Sequence, residues 1–198
     1  MATELGLRQR KKAQTREAIY QAARRLFSER GFDRVTVAEV AREANVSEVT
    51  VFNYFPSKED LFYGGMHFFE EELLDAVRRR KPNESALRAF RRKLLESVEG
   101  LRSKERFAAI KKATEAYAAS PALASREREI VERYSHELGE LLGGDVESIA
   151  VAAALMGAHR AVVDYVRRRV REGVRGEALA DDARTQIRRT FSRLERGL

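Results

Sequence analysis

Between positions 36 and 58, in the stretch TVAEVAREANVSEVTVFNYFPSK, one segment collects the side chains best suited to touch a nucleic acid. Thr36, Ser47, Thr50 and Tyr54 offer hydroxyls, Asn53 an amide, Glu48 a carboxylate and Lys58 an ammonium, with Val49 among them. Short hydroxyl and amide groups reach phosphate oxygens and base edges. A lysine supplies a point charge for a phosphate. Glu48 can accept from a cytosine amino group, or it can simply complement the positive end of a helix.

Such groups read a duplex only when short helices hold them in register. Thr36 begins the first, with Glu39 three residues on completing a capping box. Val37, Val40, Ala41 and Ala44 then repeat at helical spacing. Asn45 tolerates the left-handed backbone of a sharp exit, and Val46 plugs the corner. Ser47 caps the next helix, EVTVFNYF, and Pro56 with Ser57 stops it. Val51 and Phe55 join Val40, Ala44 and Val46 as packing residues. Helix, tight turn and helix is the geometry that lays a second helix in a major groove.

VSEVTVFNYFPSKEDLF closely resembles the recognition helix and following segment of the TetR family of bacterial transcriptional repressors. TREAIYQAARRLFSERGFDRVTVAEVAREANV resembles the two helices before it, so the likeness runs unbroken from about Thr15 to Phe62. It implies phosphate or base contacts at Thr36, Thr50, Asn53, Tyr54 and Lys58. Glu48, Val49 and Thr50, at the helix start, are assigned to base reading. Phe52 departs from the tyrosine usual at its place, removing a hydroxyl contact. The resemblance further implies a palindromic operator, a dimer built by the last two helices and a small-molecule pocket in the remaining bundle.

Composition is consistent with a polyanionic partner. The 198 residues carry a formal charge of +7, and residues 1–58 hold eleven Lys/Arg against seven Asp/Glu. Hydrophobic content of 43% supports a packed core, and the absence of cysteine excludes disulfides and thiolate chemistry. No apolar run approaches the roughly 20 residues of a membrane span, and the start lacks the apolar core of a signal peptide. A cytoplasmic protein is expected. Residues 1–14, with Arg8, Arg10, Lys11 and Lys12, form a solvated tail or a basic arm that orders against DNA. The DNA-binding domain is assigned to 15–62, the effector and dimerisation domain to 63–198.

The helical pattern continues throughout. Ala18, Ile19, Ala22, Ala23, Leu26 and Phe27 stripe a helix from Thr15 to Arg30, closed by Gly31 with Phe32 folding back. Ser57 opens a helix expected to run to about Arg80. Its Gly64–Gly65 pair marks either close packing or a soft point. After Lys81-Pro82-Asn83, helices are predicted over 85–101, 105–119, 121–142, 146–171 and 177–194, giving an all-α fold. The helix 146–171 is apolar almost all round. Its Ala150, Ala154, Gly157 and Ala158 would let a second copy approach closely.

Support for enzymatic chemistry is poor: no phosphate-cradling glycine loop, HExxH or GxSxG is present, and no cofactor or metal is expected. His67, His136 and His159 are widely spaced and read as ordinary packed or surface histidines. The REREIVER run at 126–133 reads as a solvated face, and Asp164 as the partner of Arg160. Phe107, Ile110, Thr114 and Tyr117 on one helix, with Met156, His159 and Val163 on another, could line an effector pocket or be plain core. Two alternatives stand beside the regulator reading. One is a non-specific DNA-binding protein. The other is a ligand-binding or enzymatic bundle whose helix pair is only structural.

Overall fold

The computed structural model describes residues 2–197, with side-chain surroundings from residue 10 onward. The side chain of Arg8, placed in the basic arm above, lies outside the described residues. In chain order the elements are α1 (Ala2–Arg30), α2 (Val37–Glu43), α3 (Glu48–Tyr54), α4 (Lys58–Phe62), α5 (Gly64–Arg78) and α6 (Ala86–Ser97). A 3-10 turn (Val98–Arg102) leads into α7 (Lys104–Ala119), α8 (Pro121–Leu142), α9 (Val146–Arg171) and α10 (Gly176–Glu195). Among the described residues there is no strand, as the uniform helical periodicity requires. Two compact units divide the chain, Met1–His67 and Phe68–Leu198.

The first unit is organised on α1, whose Ile19, Ala22, Ala23 and Phe27 are buried. This helix begins at Ala2 rather than Thr15, so the backbone of the basic N-terminal segment continues the same helix. Gly31, at φ 84°, ends it, and Phe32 turns back onto Phe27 with ring centroids 5.3 Å apart. Val35, Val40, Val51, Phe55 and Leu61 complete the core and are all at most 1% exposed.

One expected helix is two. The run from Ser57 to Arg80 breaks at Tyr63, which caps α4 at φ −86° and ψ 7° before α5 starts at Gly64. Close packing accounts for the glycines. A Cβ on Gly64 would stand 2.5 Å from Tyr20 Cδ2, and one on Gly65 would collide with the Tyr20 hydroxyl. The Tyr20 ring occupies the space that larger residues would need.

In the second unit, Ser85, Ser103, Ser120 and Asp145 each accept a backbone N–H at the start of α6, α7, α8 and α9. The helix expected over 85–101 tightens after Ser97 into the 3-10 turn. Pro121 sits in the first turn of α8, where its missing N–H has no partner to lose. Gly139 lets α8 and α9 approach, since a Cβ there would lie 3.3 Å from the Ile149 backbone. Phe90, Leu123, Ile130, Leu138, Leu155, Met156, Leu179, Ile187 and Phe191 form the core.

Gly64→Ala should lower the stability of the first unit by about 1–3 kcal/mol through overpacking, measured by urea unfolding of the full chain. In a Tyr20→Ala background the same change should be close to neutral. Equal losses in both backgrounds would refute the collision with Tyr20.

Candidate functional site

The helix pair is built from its caps inward. Thr36 Oγ1 accepts the Glu39 N–H at 3.3 Å, and Glu39 Oε2 accepts the Thr36 N–H at 2.8 Å. That N–H, together with Arg30 donating at 2.7 Å, holds the Glu39 carboxyl down at about 2. Asn45 turns the chain at φ 53°, and the Val46 N–H then donates back to Ala41 O at 2.9 Å. Ser47 Oγ accepts the Thr50 N–H at 3.1 Å and lies 2.8 Å from the Thr50 hydroxyl. At α4, Ser57 Oγ accepts the Asp60 N–H at 3.1 Å and donates to Asp60 Oδ2 at 2.8 Å.

These bonds divide the eight candidate residues by geometry. Val51 and Phe55 anchor one side of α3, leaving Glu48, Val49, Phe52 and Asn53 exposed on the other. Val49 is 70% and Phe52 46% exposed, an unusual amount of apolar surface for so short a helix. The hydroxyls of Thr36, Ser47 and Thr50 are engaged in caps, and Tyr54 is half-buried. Lys58, the first residue of α4, places its ammonium 4.3 Å from the Phe32 ring centroid and donates to Asp33 O at 3.4 Å. Arg10, Lys11, Lys12, Arg24, Arg34 and Arg42 are exposed in the same unit.

The second unit holds a polar interior that the periodicity did not announce. Glu127 is 3% exposed and accepts both Arg167 guanidinium nitrogens, at 2.8 and 2.5 Å. This corrects the solvated reading of the 126–133 run. Arg167 also stacks 4.1 Å over Tyr117, and it, rather than Arg160, is the partner of Asp164 at 3.5 Å. Glu70, on α5, is 1% exposed, and neither carboxylate oxygen has a hydrogen-bond partner. Burial, reinforced by the charge of Glu127, pushes the Glu70 carboxyl up to about 8. His159, on α9, is pushed down to about 4 by burial; its Nδ1 is 3.9 Å from Glu70.

Of the expected pocket residues, Thr114, Met156 and His159 are buried, while Phe107, Ile110, Tyr117 and Val163 are half-buried. Described crevices lie elsewhere, one between α9 and α10 with Ala161, Tyr165, Arg168 and Thr190, another beside α6 and α10 with Arg88, Arg92 and Arg188. Glu70 and Glu127 were missed, though a signal existed. Glu70 falls in register with Met66, Leu73, Leu74 and Val77, and Glu127 with Leu123, Ile130 and Tyr134. A carboxylate inside an apolar stripe is the mark of a buried charge. His136 is exposed, whereas His67 is buried 3.5 Å from Asp60.

By length and composition alone α9 is apolar enough to cross a membrane, a test that the core helix of a bundle also passes. Ala152, Leu155, Met156, Ala158 and Val162 bury one side of it within the second unit. Val146, Ile149, Ala150, Val151, Ala153, Ala154, Gly157 and Ala161 lie exposed.

Residues 19–63 match the family model described as bacterial regulatory proteins, tetR family. The nucleoid occlusion factor SlmA of Vibrio cholerae is 41% identical over 70 residues, covering 35% of this chain and 36% of that protein. The HTH-type transcriptional regulator TcmR of Streptomyces glaucescens is 34% identical over 85 residues, 43% of this chain and 38% of its own. The chain thus spans little more than a third of the curated relatives it matches. Among solved structures, NalD of Pseudomonas aeruginosa, the secondary repressor of the MexAB-OprM multidrug efflux pump, aligns with a TM-score of 0.56 at 20% identity, over 91% of this chain and 96% of that one. A SmeT–triclosan complex aligns with a TM-score of 0.57 at 18% identity, over 90% of both chains. These structural likenesses establish the fold across both units.

The buried Glu70 makes stability depend on pH in a defined direction. Its folded carboxyl holds a proton up to about 8, whereas the unfolded one releases it near 4.5, so stability falls as pH rises between them. His159, lowered from 6.5 to about 4, acts oppositely, adding stability as pH rises through that lower window. Between pH 7 and 8 Glu70 dominates the two, a loss of about 1 kcal/mol. Urea titrations should show this slope in the native chain and its disappearance in Glu70→Gln. The same slope in both would exclude Glu70 as its source.

Proposed function

We propose that this chain, whose residues 19–63 match the model of the tetR family of bacterial regulatory proteins, is a DNA-binding transcriptional repressor of that family, released from its operator by a small ligand. The observation that carries the reading is α3 itself. One side is locked by Val51 and Phe55, and the other presents Glu48, Val49, Phe52 and Asn53 to solvent in a basic unit. A seven-residue helix so anchored has no packing use for an exposed valine and phenylalanine, but both suit apolar contact with thymine methyls in a major groove. Lys58, whose ammonium lies over the Phe32 ring, supplies a phosphate contact from the start of α4.

Two copies would give two reading helices for a palindromic site. The exposed small and β-branched residues of α9, next to α10, supply a self-complementary surface for that pairing. Gly157 is central to it: a Cβ there would meet nothing within 4 Å in its own chain. Repression is supported by the fold shared with NalD, a repressor, and a small ligand by the fold shared with SmeT, which is held in a complex with triclosan. For release, the ligand must bind the DNA-incompetent state more tightly, because only differential affinity shifts an equilibrium. The cytoplasm, where chromosomal DNA lies, is the matching compartment. Catalysis has no part in this reading.

Mobility shifts with genomic fragments test the core claim. Retention of particular fragments, weakening steeply with salt, is expected; equal retention of all fragments would instead identify a non-specific DNA-binding protein. Lys58→Ala should weaken binding to every sequence alike, while Glu48→Ala should change the preferred sequence. Light scattering should give twice the chain mass at micromolar concentration, and Gly157→Glu should halve it with helical content intact. A native monomer would remove the dimer from the reading.

A further inference from the structure

The second unit carries most of the positive charge excess, although the helix pair lies in the first. Residues 68–198 hold 27 Lys/Arg against 22 Asp/Glu, and residues 1–67 hold eleven against nine. Part of that surplus is gathered on one face. Arg88, Arg91, Arg92, Arg184 and Arg188 line an open crevice of about 550 Å³ where α6 and α10 meet, against three carboxylates.

Carboxylates of the fold hold three of these arginines in place. Glu84 accepts from Arg92 Nε at 3.0 Å and from its Nη2 at 3.2 Å. Arg184 donates to Glu99 and Asp181, and Arg91 Nη1 donates to Glu195 at 3.1 Å. The Glu84 and Glu195 carboxyls are held below their ordinary value chiefly by hydrogen bonds from Arg92 and Arg88, so the pairs stay charged at neutral pH. Two arginines keep donors to spare. Arg88 spends only its Nε, on Glu195 at 2.8 Å, and its two terminal nitrogens meet no acceptor among the described residues. Arg188 is exposed and meets no carboxylate among them.

A guanidinium is a planar fork of donors that fits phosphate oxygens two at a time. A monoanion offers this crevice no more than Glu84 or Glu195 already gives. Several linked phosphates offer more, because closely spaced charges act together on arginines that are already fixed and have less side-chain entropy to lose. Leu95 is the one apolar residue among the described lining, so no ring stands there to stack on a base.

We propose that the crevice between α6 and α10 binds an oligophosphate group, a chain of three or more linked phosphates, through Arg88 and Arg188 with Arg92 beside them. Its source is a free polyphosphate or the tail of a nucleoside triphosphate whose base stays outside. The site belongs wholly to the second unit and does not depend on the repressor reading.

Titration calorimetry of the full chain, free of DNA, tests this with sodium tripolyphosphate as the probe. At about 0.1 M salt, where distant charges are screened, one site per chain should bind it about tenfold or more tightly than orthophosphate. Adenosine triphosphate separates the two sources: matching affinity supports a nucleotide tail, and its failure while tripolyphosphate binds supports the free polyphosphate. Arg88→Gln and Arg188→Gln, each checked for folding by circular dichroism, should weaken tripolyphosphate binding about tenfold, the loss expected of a charged hydrogen bond. Arg189→Gln removes the same charge from α10 outside the crevice and should change affinity less than about threefold. No binding of tripolyphosphate, affinity no greater than for orthophosphate, or equal losses in Arg188→Gln and Arg189→Gln would overturn the proposal. So would an Arg188→Gln chain whose mobility shifts weaken as much as those of Lys58→Ala, because the crevice would then be a DNA contact. Absence of specific DNA binding with tripolyphosphate binding intact would count against the repressor reading alone.

Discussion

Helices of seven, seven and five residues cannot hold themselves together in water, yet α2, α3 and α4 are the part of the molecule that must be most exact in shape. Their existence depends on hydroxyl caps at Thr36, Ser47 and Ser57, each accepting the N–H three residues on, and on side chains driven into the face of α1. The caps satisfy donors that an isolated helix end leaves open. Val40, Val51, Phe55 and Leu61, each 1% exposed or less, share the core of the first unit with Ile19 and Ala23, which are fully enclosed. Because one side of α3 is taken up by this anchoring, its other side has a single possible orientation. The proposed recognition follows from that constraint. The residues available to a duplex are those the core does not need.

Three hydroxyls assigned to DNA contact turn out to be engaged in holding the helices. Thr36, Ser47 and Thr50 bond to Glu39 or to one another, whereas Glu48, Val49, Phe52 and Asn53 face solvent unencumbered by the core. On the proposed reading, the hydroxyls that hold the helices and the side chains left for base reading are different groups only one or two residues apart. Lys58 joins both groups, since its ammonium is steadied by the Phe32 ring from the turn after α1.

The second unit solves the opposite problem. Its helices are longer, and they enclose charge. The Glu127–Arg167 pair is closed by two hydrogen bonds and by Tyr117 stacking, so its burial is compensated. Glu70 has no such compensation and responds by keeping its proton. A bundle built for stability alone would place leucine there, between Met66 and Leu74 on the same stripe. Retention of a carboxylate at that register sets a polar demand inside an otherwise apolar region.

Local chemistry was enough to determine the helix pair from sequence. The capping box at Thr36, the left-handed Asn45, the cap at Ser47, the glycine stop at Gly31 and the proline opening α8 each depend on neighbours within a few residues. The ends of α9 were legible for the same reason, because Asp145 and the glycines around it act locally. What sequence could not decide was anything set by residues distant along the chain. Tyr20 takes the room beside Gly64 and Gly65, some forty-four positions away, and so explains a glycine pair that sequence left open between close packing and a soft point. Arg167 meets Glu127 across 40 positions and so internalises a charge that looked solvated. Glu70 stood in an apolar register in plain view, but only the packing of α5 against the helices around it left its oxygens without a partner. Capping and backbone conformation are short-range and written in order; desolvation depends on what tertiary packing brings to the same place.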